Sequence, residues 1–206
     1  MNYDYILKWC FGILFILLTL LRLFSRIRFE KRGPFSMHHL ADGKLLMVIR
    51  WILGIPLGFS MMEYFFFQHS VPWMYLPLPV FIRGIGVFLG YSSVCFLAVV
   101  HYYLGKNFNS GSSVKQNHSL ITGGPYRYVR HPMYVGFFLL FFSSFLISEN
   151  WLIGLSGMMT ILTLMTLRLK LEEENLEQYF GNDYLAYRMK TGAFLPKCSL
   201  FSKSRK

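Results

Sequence analysis

Five stretches of this chain are too long and too apolar to be buried in an ordinary soluble core. Residues 5–24, 45–67 and 80–104 are each dominated by apolar side chains. Two shorter runs, 133–147 and 151–167, are separated only by Ser148-Glu149-Asn150. A helix needs about 20 apolar residues to cross the hydrocarbon core, so the first three runs predict membrane spans. The last two are of marginal length and predict a tight helical hairpin. Composition agrees with that reading: 54% of residues are hydrophobic and 15% charged, against about 25% charged in a soluble domain. Such a balance excludes a disordered chain, a basic nucleic-acid module and an ordinary soluble enzyme. The expectation is an all-α integral membrane protein with about five transmembrane helices and a helical segment after the last one. No Rossmann domain is expected: Gly84-x-Gly86-x3-Gly90 has the wrong spacing for a dinucleotide fingerprint and lies inside a span. The first run is expected to remain as a span, because it is long, lacks a small-residue cleavage site and precedes a basic segment.

The net charge of +11 would suggest nucleic acid in a soluble protein. In a membrane protein the question is where the charge sits, because Lys and Arg collect in cytosolic segments. Segments 25–44, 105–131 and 168–206 hold 17 of the 21 Lys and Arg residues, and the other side has Lys8 alone. Five spans with the N-terminus outside and the C-terminus in the cytosol satisfy this pattern. Segment 68–79 has no Lys or Arg and reads as an external loop. The membrane would be the inner membrane of a bacterium or the endoplasmic reticulum of a eukaryote. The chain divides into a three-helix region, 1–104, a region carrying the polar motifs, 105–196, and a basic tail, 197–206, expected to fray.

Gly54-x3-Gly58 and Gly86-x3-Gly90 predict close helix packing, since small residues at that spacing let backbones approach. Arg50 and Glu63 are ionisable residues at membrane depth, read with equal weight as a site or as structural pairs. Cys10, Cys95 and Cys198 show neither metal-ligand spacing nor a disulfide framework, so no metal and no bridge are expected.

Chemistry concentrates in two polar stretches. The first runs from His118 to Tyr134 and contains the turn Gly123-Gly124-Pro125 and the pentapeptide Arg130-His131-Pro132-Met133-Tyr134. Pro132 suits the first position of a helix and pushes His131 out of helical conformation. A helix N-terminus flanked by Arg130 and His131 predicts an anion site. The bland alternative is a basic membrane flank with His131 as a cap-side donor. The second stretch is Arg168-Leu-Lys-Leu-Glu172-Glu173-Glu174, in which Arg168 and Glu172 share a helix face. Taken alone the pair is an exposed ion bridge. The hairpin returns the chain to the side it left, however, which brings Arg168 and Glu172 beside His131 and Tyr134 as a candidate pocket. Beyond it, Gly181 is expected to end one helix before a short second helix with Tyr184 and Tyr187 on one side.

Together these residues resemble the isoprenylcysteine carboxyl methyltransferase family, which is similar to phospholipid methyltransferases. The resemblance rests on His118-x-Leu-Ile, Tyr126, Arg130-His131-Pro132-Met133-Tyr134-x-Gly136, Arg168-x3-Glu172-Glu173, Phe180-Gly181, Tyr184 and Tyr187, and covers about 100–196. It implies an integral membrane enzyme that uses S-adenosylmethionine. It also implies that His118, Ser119, Leu120, Ile121, Tyr126, His131, Pro132, Met133, Tyr134 and Glu172 contact the cofactor and that Arg168 holds the substrate as the catalytic residue. The loop before His118, Ser112-Ser113-Val114-Lys115-Gln116-Asn117, looks shorter than in family members, which often have a glutamine contact some residues ahead of that position, and the resemblance does not carry this contact over.

Chemical reasoning on those residues narrows the acceptor. A carboxylate is already ionised at pH 7 and needs no base, and Arg168 can orient it through a planar fork. An amine must first lose a proton, which only His131, Glu173 or Glu174 could take. Glu172 would suit the cofactor's amino group and ribose hydroxyls, and His131 with the helix start its carboxylate. The expected partners are a lipophilic or lipidated substrate entering from the bilayer and the membrane lipids themselves, without nucleic acid. Three alternatives stay open: a phospholipid N-methyltransferase, an NADPH-dependent membrane reductase and a non-enzymatic membrane subunit.

Overall fold

A computed structural model describes residues 3–29, 43–67, 70–105 and 119–197. His118 and residues 198–206 of the tail lie outside them, as does the side chain of Arg50. Six α-helices follow in order: α1 (Tyr3–Phe29), α2 (Gly43–Phe66), α3 (Val80–Leu104), α4 (Pro132–Ser148), α5 (Trp151–Phe180) and α6 (Asn182–Lys190). Three of them, α1, α3 and α5, are long and apolar enough to cross a membrane, while α2 over Trp51–Phe66 and α4 are shorter apolar helices. Five apolar helices are therefore present where five spans were expected, with length alone qualifying three.

The apolar helices α1 to α5 carry apolar side chains on both inner and outer faces along their membrane-length parts, for two different neighbours. On α1, Leu7, Phe11, Leu14 and Leu18 repeat at helical spacing and are buried, while Ile13, Ile16 and Leu20 point outward. The buried stripe packs against Tyr64 of α2, Leu97 of α3, Phe137 and Leu140 of α4 and Ile153 of α5 in one core. A soluble amphipathic helix would carry polar groups on its outer face; here Trp51, Ile52, Ile55, Phe81 and Phe88 are also exposed. An outer surface of this kind suits lipid, and every backbone group in such an environment must be paired within its own helix.

The two glycine pairs differ. A Cβ on Gly86 would stand 2.7 Å from the Leu146 Cβ, and one on Gly90 would stand 2.9 Å from Leu14 and 3.0 Å from Ser143. These glycines set the approach of α3 to α4 and α1. Gly54 and Gly58 have nothing within 4 Å, so among the described residues the expected packing does not pass through them: α2 meets Phe11 of α1 through Tyr64, edge to face, and Phe65, tilted against it.

The closed end of the α4–α5 hairpin is tied down by its own charges. Glu149 takes a left-handed conformation, φ 59°, at the end of α4. Its carbonyl accepts from the Leu76 N–H at 2.9 Å, its carboxylate accepts from the Leu78 N–H at 2.9 Å and lies 3.5 Å from the Arg83 guanidinium. Arg83, buried on α3, also donates to the Ile147 carbonyl at 3.1 Å and pairs with Asp4. Asn150 caps α5 by accepting from the Leu152 and Ile153 N–H groups. Glu63 is buried here too and accepts from the Tyr75 hydroxyl, Ser70 and the Val71 N–H. It anchors the loop after α2, which is the structural pairing among its two readings.

Candidate active site

The opposite end of the bundle is built by three segments far apart in sequence. Pro132 starts α4, as its ring predicts, with His131 at the cap position in a non-helical conformation and without a side-chain cap bond. Opposite it, α5 does not stop where its apolar part ends near Leu167. It runs on to Phe180 as one helix of 30 residues and carries Arg168, Glu172 and Glu173 past the apolar region on a rigid rod. Gly181, at φ 53°, ends it and lets α6 turn away. After α6, residues 191–196 return and lie against the start of α4: the Arg130 N–H donates to the Gly192 carbonyl at 2.8 Å and the His131 N–H to the Ala193 carbonyl at 3.0 Å. Only glycine fits at position 192, where a Cβ would fall 1.8 Å from the Leu195 carbonyl oxygen.

Glu173 is the electrostatic centre. One of its oxygens accepts from Arg130 Nε at 3.0 Å and Nη2 at 2.7 Å, and from His131 Nε2 at 3.3 Å. Arg188 of α6 lies 3.5 Å from the other oxygen, and Arg130 also donates to the Thr191 carbonyl. The His131 hydrogen bond, followed by the Arg130 contacts, holds the Glu173 carboxyl down at about 2, against the opposing effect of burial. The expected anion site at Arg130 and His131 is thus already filled by the protein's own carboxylate. The sequence reading left Arg130 and His131 open to a ligand; in the structure both face Glu173.

Glu172, one residue back, faces a different set. It accepts from the Tyr134 hydroxyl at 3.1 Å and stands 3.7 Å from His131 Nδ1. Because a carboxylate can only accept, His131 Nε2 donates its hydrogen bond to Glu173. Arg168 lies one helical turn from Glu172 on the same face, about 6 Å along the axis, half-buried and within electrostatic reach of it. His131, Tyr134, Glu172 and Arg168 are therefore gathered at one end of the molecule.

The other expected site residues are placed less centrally. Tyr126 is buried in a 3₁₀ turn over Gly124–Arg127, where its carbonyl accepts from the Tyr187 hydroxyl at 2.7 Å. Burial raises both phenols, Tyr187 to about 12, so neither ionises near neutrality. Met133 packs against the core from the first turn of α4. Ser119 is exposed, while Leu120 and Ile121 are partly buried in the segment leading to the turn. Sequence reasoning did not place Glu173 or the segment 191–194 in the site. Glu173 was visible beside Glu172; the returning segment left only Gly192 and Pro196 as a signal.

Helices with lipid-facing outer sides that bring Arg130, His131, Glu172 and Glu173 together between a helix start and the extension of its hairpin partner are the architecture of an integral membrane protein with a polar cluster at one end. The model of the phospholipid methyltransferase family matches residues 75–183, more than half of the chain, and the chain belongs to that family. Among curated relatives, it is 28% identical over 133 residues to the protein-S-isoprenylcysteine O-methyltransferase of Rattus norvegicus, covering 64% of this chain and 47% of that one. It is 34% identical over 94 residues to the protein of the same name from Schizosaccharomyces pombe, covering 45% and 40%. The chain thus spans about half the length of the curated relatives it matches. In fold it is similar to the solved structure of the eukaryotic intramembrane Ras methyltransferase ICMT, with a TM-score of 0.54 and 23% identity over 85% of this chain and 63% of that one.

Proposed function

We propose that this protein is an S-adenosylmethionine-dependent membrane methyltransferase that methylates a carboxylate on a lipophilic acceptor. The observation that carries the reading is the commitment of Glu173 and His131 to each other and to Arg130. Those are two of the three groups that could take a proton from an amine, and the third, Glu174, lies 3.8 Å from Lys170 on the exposed side. A carboxylate acceptor needs no base, and Arg168, on the Glu172 face of α5, offers a planar fork to orient it.

The residues present fit the proposed methyl donor. The Glu172 carboxylate, which accepts from the Tyr134 hydroxyl and lies beside His131, suits an ammonium group. The first N–H groups of α4, uncapped by any side chain, suit its carboxylate in place of the two committed cations. His118, Ser119, Leu120, Ile121, Tyr126, Pro132 and Met133 complete the proposed binding set. The donor supplies a methyl group activated on a sulfonium. The chain's own residues hold it, align the acceptor within about 3–3.5 Å and cover the site with the segment 191–196. Excluding water favours attack by an anion on a cation, because charge is neutralised on the way to the transition state. The acceptor reaches Arg168 sideways from the bilayer along the apolar face of α5. The basic residues at this end, Arg26, Arg127, Arg188, Lys190 and Lys197 among them, support a cytosolic orientation.

Transfer of labelled methyl from S-adenosylmethionine to membrane extracts tests the reading. The expected product is a lipophilic ester that releases labelled methanol in mild base. A base-stable product would replace the carboxylate with an amine, and no transfer to any extract would remove the methyltransferase reading.

A further inference from the structure

Three rings meet at the site without an assigned role. His131 and Tyr134 have centroids 6.0 Å apart. Phe194, brought back by the segment after α6, stands 6.0 Å from His131 and 6.4 Å from Tyr134. The planes are mutually tilted by 45°, 42° and 75°, so the rings form a cup and not a stack. Phe194 lies eleven residues beyond the family match, which ends at 183. Its position is costly to maintain: two main-chain hydrogen bonds to 130 and 131, an obligatory glycine at 192 and the Arg130 bond to the Thr191 carbonyl all serve to seat it.

From these contacts we propose that Phe194, with His131 and Tyr134, forms an aromatic seat for the sulfonium of the methyl donor, an inference that rests on the function proposed above. A cation about 3.5 Å from the plane of the three centroids lies about 5 Å from each, within the roughly 6 Å reach of a cation–π contact. Charge around the cup agrees. Glu172 joins it through the Tyr134 hydroxyl at 3.1 Å. The nearby cation Arg130 is neutralised on Glu173, with Nη2 2.7 Å from its carboxylate. His131 Nε2 donates to the same carboxylate at 3.3 Å. A ring at 194 thereby recognises the charge that distinguishes the donor from its spent product, since demethylation leaves a neutral thioether of nearly the same shape.

That distinction supplies the test. Binding of labelled S-adenosylmethionine and S-adenosylhomocysteine is measured on the full-length protein in detergent, for wild type, Phe194→Leu and Phe194→Tyr. A second series places phenylalanines of increasing ring fluorination at 194, which weakens the ring's negative face while keeping its shape. Phe194→Leu is expected to lose about fivefold in affinity for the sulfonium relative to the thioether, Phe194→Tyr to keep the wild-type ratio, and fluorination to lower the ratio stepwise. Equal loss for both ligands, or a ratio indifferent to fluorination, would overturn the proposal and reduce Phe194 to a wall. Wild-type protein that binds neither ligand would instead overturn the methyltransferase reading, and this inference with it.

Discussion

The two ends of the bundle both bury charge, and they do so in different ways. At the hairpin end, Arg83 is answered by the Ile147 carbonyl, Asp4 and Glu149, and Glu149 by two main-chain N–H groups. Much of that network is made by the turn residues 147–150 and the start of α3, and its left-handed Glu149 is over-determined by its partners. At the site end, Arg130, His131, Glu172 and Glu173 come from two segments about 40 residues apart, with a third laid over them from beyond α6. The hairpin end closes upon itself and has the character of a clasp. The site end gathers Glu172 beside His131, a helix start without a side-chain cap, three neighbouring rings and the half-buried Arg168. A buried charge is a hint of function only after its partners have been counted.

Substitutions at the two arginines separate these roles most sharply. Arg168→Ala is expected to cut methyl transfer by about 100-fold or more while leaving S-adenosylmethionine affinity within a few fold; unchanged turnover would take Arg168 out of the site. Arg83→Ala should do the reverse, destabilising the folded protein by about 3 kcal/mol, since it leaves Glu149 buried without its partner. Thermal unfolding in detergent reads this loss, and turnover per folded molecule should stay at the wild-type level. Intermediate in size is Gly192→Ala, whose Cβ would collide with the Leu195 carbonyl. It should weaken donor binding about tenfold, with little change in melting temperature because the segment it dislodges covers the site and does not fill the core. Full donor affinity in that variant would show that residues 191–196 are not part of the pocket.

The smallest effect concerns pH. Glu173 ionises near 2 in the folded protein against an ordinary value of 4.5. A depressed carboxyl contributes stability that is present in full above about pH 4.5 and is lost as pH falls towards 2. The stability gap between wild type and Glu173→Gln should therefore narrow as pH falls from 4.5 to 3. A gap independent of pH would mean that the Glu173 carboxylate is not what Arg130 and His131 hold. Glu149, at the other end, provides the comparison substitution.

The sequence alone determined five apolar helices, the hairpin turn at 148–150, the proline start of α4 and the glycine end of α5. Each of these depends on local forces: burial of contiguous apolar surface, a fixed proline φ, a glycine's access to positive φ. It also brought Arg168, Glu172, His131 and Tyr134 together, because a hairpin must return to the side it left. Pairing choices were beyond it. Arg130 with Glu173, the difference between Gly86 and Gly54, and the return of Phe194 over His131 all depend on distances between segments that no local propensity encodes. Two adjacent glutamates look alike along the chain; only the packed helices decide that one neutralises the protein's own cations and the other faces the site.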